Sequence, residues 1–206
     1  IALDATASGH YSESSEIYSW FEPDVSVASL VRPVRELPRG CDEDVLVYHL
    51  SYGIPDLTAW LLSRSERLVV WYHNVTPAEF FQSIDSEFAE GLAHGRREIE
   101  ILRSRCIFAI ADSTFNSNEL GAAGYGDVVV ARPSQTATRL SGVGADATLL
   151  ERVWGRFPGG FILCVSQVLP HKRVDQAVEV LHLLREYQRL DIGLVWAGPA
   201  RQPRYM

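Results

Sequence analysis

Short apolar runs recur along this chain, separated by stretches with helical spacing, and no other feature constrains its fold as strongly. The runs fall at 45–50, 68–73, 106–111 and 127–131. They are nearly continuous rather than alternating, which predicts strands covered on both faces. Strand–helix–strand repetition of this kind predicts a parallel sheet with right-handed crossovers. Helices are expected over 55–64, with Pro55 in the first turn, and over about 87–105. In the longer one Leu92, Ile99, Leu102 and Cys106 are spaced for one buried face. Ser113 can cap a short helix that Gly124 closes.

The rhythm breaks from Ser134 to Gly160, a segment rich in Ser, Thr, Ala and Gly that ends in Pro158-Gly159-Gly160. It reads as a connection between domains with a helical portion over 147–154. Then the pattern restarts: a strand over 161–166, a helix over 173–190 and a strand over 192–197. Val174, Ala177, Leu181 and Leu184 share one face of that helix. The expected organisation is a Rossmann-like α/β domain over 1–138, a linker over 139–159, and the beginning of a second such domain over 160–206. Residues 1–9 read as the tail of a helix and 201–206 as a loop, so the chain is expected to be a piece of a longer protein.

The 206 residues are 47% hydrophobic and 22% charged, with a formal net charge of -7. That acidity argues against a protein that tracks nucleic-acid backbones. No apolar run is long enough to span a bilayer. Cys41, Cys106 and Cys164 are odd in number and far apart, and Cys106 and Cys164 sit in apolar runs, which predicts small buried thiols in a reducing compartment. No closely spaced Cys/His pairs suggest a metal site. A cytoplasmic protein is expected.

In open parallel sheets, ligands bind beyond the carboxyl ends of the strands. That rule selects the loop around Gly53, the turn that begins at His73-Asn74, the pair Asp112-Ser113, and the stretch from Gln167 to Lys172. Lys172 follows Pro170 and precedes a long helix, where free backbone N–H groups and the helix dipole attract phosphate. The competing reading is a solvated lysine on a loop. His73 ends an apolar strand beside Asn74, so an imidazole and an amide face the crevice together, fit to bond a sugar hydroxyl or a developing charge. Both residues could instead only cap the next turn. His49 is followed by another apolar residue and reads as a satisfied histidine within its strand. Asp112-Ser113 reads as an N-cap, and Arg96 and Arg97 as solvated positions on the long helix. Glu79-Phe80-Phe81 could line an acceptor pocket or belong to the core. No nucleophile elbow, G-x-G-x-x-G or Walker loop is present.

These segments resemble a family. The stretch from Tyr72 to Phe81, the stretch from Ala111 to Leu120 with Gly124-Tyr125, and the stretch from Val165 to Arg173 resemble successive blocks of the retaining GT-B glycosyltransferases of family 4. The likeness runs from about Val45 to Gly198. It implies two Rossmann-like domains and transfer of a hexose from a nucleotide diphosphate sugar to a hydroxyl acceptor (a sugar, lipid-linked sugar or glycan), with retention at the anomeric carbon. His73 is then the catalytic residue at the donor sugar. Lys172 and Gln167 bind the donor diphosphate, and Gly53, Asn74, Glu79 and Ser113 line the cleft. The resemblance implies no bound metal and no cofactor beyond the donor substrate.

The chain departs from that pattern. The family's strand ends in Gly-Arg, where this chain has Ser166-Gln167. Losing a charge-assisted phosphate contact costs about 1.5–3 kcal/mol. The family's first strand with its glycine-rich loop is expected before Ile1, and its paired glutamates beyond Met206, so turnover is expected only of a longer protein. Rival readings are a catalytically degenerate sugar- or nucleotide-binding protein of the same fold, and a sugar epimerase or phosphorylase. Peripheral membrane contact would use Arg96, Arg97, Arg103 and Arg105, diluted by Glu87, Glu90, Glu98 and Glu100.

Overall fold

A computed structural model describes residues 15–131 and 143–200. The expectations for 1–9, 134–142 and 201–206 therefore lie outside the described residues. A short parallel pair comes first, β1 (Ile17–Ser19) with β2 (Val31–Pro33). At three residues each, neither strand is long enough to leave a periodic signal in the sequence.

The main unit follows as β3 (Val45–Leu50), α1 (Pro55–Leu62), β4 (Arg67–Tyr72), α2 (Ser86–Leu102), β5 (Cys106–Ala111), α3 (Thr114–Ala122) and β6 (Val128–Val130). Its strands form one sheet in the order β3-β4-β5-β6, with every neighbouring pair parallel, as the repetition predicted. Helix ends follow local chemistry. Pro55 occupies the first turn of α1, Asp85 accepts from the Phe88 N–H at the start of α2, and Ser113 accepts from the Asn116 N–H at the start of α3. Gly124, at φ 87°, follows the end of α3 in a conformation that glycine adopts freely.

A sheet whose strand order advances in one direction puts all its right-handed crossovers on the same side. The core shows that arrangement. Leu50, Leu68, Val70, Tyr72, Ala109 and Ala111 from the strands pack with Leu57 and Leu61 of α1, Leu92, Ile99 and Leu102 of α2, and Leu120 of α3. On the opposite face Val45, Val47 and Val129 are 47%, 44% and 50% exposed. The expectation of cover on both faces is thus corrected among the described residues. Valine-rich runs satisfy strand propensity on either face, so an apolar run does not count the layers around it.

The second unit comprises α4 (Ala147–Arg156), β7 (Phe161–Val165), α5 (Val174–Gln188) and β8 (Gly193–Ala197), with β7 and β8 paired in parallel. Along α5 the predicted face holds: Val174, Ala177, Leu181 and Leu184 are its half-buried positions. A single helical turn, Pro170–Lys172, precedes α5. Leu169 packs on the core of the first sheet, and the His171 ring stands 5.9 Å from that of Phe81 and 6.3 Å from that of Phe80. Among the described residues no helix is long and apolar enough to cross a membrane.

Candidate functional site

The carboxyl ends of β3, β4 and β5 lie side by side. The register pairs His49 with Trp71 and Trp71 with Ile110, and the ladder continues with the His73 N–H donating to Leu50 O and the Asp112 N–H to Tyr72 O. Side chains alternate along a strand, so His49, Trp71, His73 and Asp112 all belong to the face away from the helices. There they bond one another. Asp112 Oδ2 is 2.7 Å from His73 Nδ1, and Asp112 Oδ1 accepts the Trp71 indole N–H at 2.7 Å. The other ring nitrogen of His73, Nε2, lies 2.8 Å from His49 Nδ1. The two imidazoles are nearly parallel, with centroids 5.0 Å apart, and Trp71 packs against both. Desolvation, then the neighbouring His73, pushes the His49 pKa down to about 4.

The turn that carries His73 is held from behind. Asn74 sits at φ 70°, a left-handed conformation that asparagine tolerates better than most residues. The Tyr72 hydroxyl donates to Glu119 Oε2 at 2.9 Å and accepts from the Val75 N–H. Arg96 donates to Glu119 Oε1 at 2.9 Å and to Val75 O at 2.7 Å, tying α2 and α3 to this turn. Arg96 is therefore a strut, which corrects the expectation of a solvated side chain.

The loop after β3 is held by a buried carboxylate. Glu98 on α2 is fully buried and accepts from the Tyr48 hydroxyl at 2.9 Å, from the Ile54 N–H and from the Thr58 hydroxyl, with His94 Nε2 at 3.4 Å. Burial raises its pKa, and these hydrogen bonds oppose the rise.

The sequence-predicted residues separate into distinct positions. Gly53 is buried against α2, where a Cβ would stand 2.1 Å from the Gly95 nitrogen, so it is a packing glycine and does not line the crevice. Ser113 is the cap of α3, its hydroxyl oxygen accepting from the Asn116 N–H. Asp112, expected to share the capping, instead faces His73. Asn74 and Glu79 are exposed, whereas Phe81, only 1% exposed, belongs to the core. Gln167 and Lys172 are exposed on the loop after β7, and Lys172 makes no ion pair among the described residues. That loop is anchored by the Trp196 indole N–H on Ser166 O, by the Val168 N–H on Pro199 O, and by Gly198 pressed to Ser166. No cluster among the described residues has the make-up of a metal site.

His49, Trp71 and Asp112 are functional candidates that sequence reading passed over. A signal was present: three successive apolar runs each carry a polar residue at or just beyond the carboxyl end. Of the four arginines of the expected membrane contact, Arg96 is engaged as above and Arg105 donates to Glu66 O at 3.0 Å, whereas Arg97 and Arg103 are exposed, Arg103 donating to Ala123 O at 3.4 Å. Comparison with known proteins finds no family model, curated protein or solved structure that matches this chain.

Proposed function

We propose that this chain is part of a retaining glycosyltransferase that moves a hexose from a nucleotide diphosphate sugar to a hydroxyl acceptor in the cytoplasm. One observation carries the reading. His171, wedged on Phe80 and Phe81, brings the loop of Gln167 and Lys172 against the loop that follows His73. In this reading the polar row at the ends of β3 to β5, built around His73, faces the sugars and the loop bearing the Lys172 cation faces the diphosphate. Lys172 offsets the charge of the departing diphosphate, and Gln167 donates one neutral hydrogen bond to it. Free thiols at Cys41, Cys106 and Cys164 suit a reducing compartment.

The test uses the intact protein. Lys172→Ala should weaken binding of a nucleoside diphosphate about tenfold or more, the loss expected for one charge-assisted contact. Binding of the unphosphorylated nucleoside should not change. Nucleotide-sugar donors offered with simple alkyl glycosides should yield a product whose anomeric configuration matches the donor. Equal diphosphate affinity in the variant would remove the proposal's basis. Tight diphosphate binding without transfer would favour a binding protein, a reading that the uncharged Gln167 supports.

A further inference from the structure

Both nitrogens of His73 are engaged, Nδ1 by Asp112 and Nε2 by His49, so His73 has no lone pair or N–H left for a ligand. The free nitrogen of the row is His49 Nε2, which makes no hydrogen bond among the described residues and belongs to an exposed residue. An ionised Asp112 only accepts, which fixes a proton on His73 Nδ1 and leaves Nε2 as an acceptor. His49 must then donate through Nδ1, and its Nε2 presents a lone pair outward.

We infer that His49 is the imidazole that meets a ligand hydroxyl, with His73 and Asp112 behind it as a proton relay. The inference rests on the transferase reading only in naming that hydroxyl as the acceptor sugar's. In the step, the hydroxyl oxygen bonds to the anomeric carbon and its O–H bond breaks. The carbon–oxygen bond to the diphosphate breaks, and its electron pair leaves with the diphosphate. The released proton goes to His49 Nε2 as the Nδ1 proton of His49 passes to His73 Nε2. The positive charge ends on His73 against the Asp112 carboxylate, and His49 is neutral before and after. An imidazole packed against Trp71 and His73 on one side and open on the other can serve in that way, because it never has to hold the charge its surroundings disfavour. Among the described residues the titratable groups that bear on it are His73 and Asp112, both members of the relay. His49 is the catalytic residue of this scheme, and His73 and Asp112 are positioning residues.

The experiment is nitrogen-15 NMR of the histidines in the intact protein, alongside kinetics. At neutral pH His49 should carry its proton on Nδ1 and His73 on Nδ1. Asp112→Asn should move the His73 proton to Nε2 and, through the shared bond, the His49 proton to Nε2 as well. His49→Gln should lower turnover by about 10²–10⁴-fold, the usual contribution of a general base, with donor affinity unchanged. The relay is overturned if His49 Nε2 is protonated in the unaltered protein, if its tautomer ignores Asp112→Asn, or if His49→Gln transfers hexose normally. The expected tautomers without any hexose transfer would leave the relay standing and sink the transferase reading alone.

Discussion

Gly53 and Gly95 meet backbone to backbone, so closely that a methyl on Gly53 would lie 2.1 Å from the Gly95 nitrogen and one on Gly95 2.8 Å from the Gly53 nitrogen. The contact is sealed by the Gly53 N–H donating to Gly91 O at 3.1 Å. Neither backbone has a flexible side chain that could step aside. Gly53→Ala should cost about 1–3 kcal/mol, the range for overpacking, in chemical denaturation. Stability equal to that of the unaltered chain would show that the loop after β3 can lift off α2.

Glu98 should give the unfolding free energy a recognisable pH dependence. Its folded pKa is raised above the ordinary 4.5, burial being the first cause, so the folded chain binds this proton more tightly than the unfolded one. The stability it contributes is complete below 4.5 and falls as pH rises above that value. Glu98→Gln should flatten that decline in denaturant titrations run at several pH values.

His49 acts with the opposite sign. Its folded pKa of about 4 lies below the ordinary 6.5, so unfolding takes up a proton between those values. Stability from this source is complete above 6.5 and is lost as pH falls from 6.5 towards 4. His49→Gln should reduce the acid sensitivity in that window, and an unchanged acid limb would contradict the assignment.

At Asn74 the backbone itself makes the prediction. Asn74→Val forces a β-branched residue to φ 70° and should cost about 1–2 kcal/mol, whereas Asn74→Gly should be close to neutral. Thermal unfolding of the two variants would separate backbone strain from loss of the amide.

Phe81 joins the core of the first unit to the loop after β7. Phe81→Ala should cost about 3–5 kcal/mol as a buried aromatic truncation. It should also let water reach His171, whose pKa is lowered first by burial and then by Lys172, so the imidazole should titrate nearer its ordinary value. Proton NMR of His171 checks this, and an unmoved titration would mean that Phe81 does not shield the ring.

Much of this architecture was legible in the residues. The apolar runs located β3 to β8 to within a residue or two, and the spacing of Val174, Ala177, Leu181 and Leu184 gave the inner face of α5 correctly. What failed was any property that depends on which strands are neighbours. His49 and Asp112 lie 63 positions apart in sequence (112 − 49), and only the strand order brings them to either side of His73. Their joint role was invisible to local pattern. The same holds for Gly53: a glycine in a loop reads as a turn, but this one answers to a helix that arrives some forty residues later.

Tyr48 and His49 are consecutive, and the pleat of β3 sends them to opposite sides of the sheet. One reaches the sealed carboxylate on α2, the other the open row of imidazoles. Any shift or tilt of that strand must act on both at once. The interior anchor thus serves as a gauge for the outward ring, and loosening Glu98 would detune a histidine that it never touches.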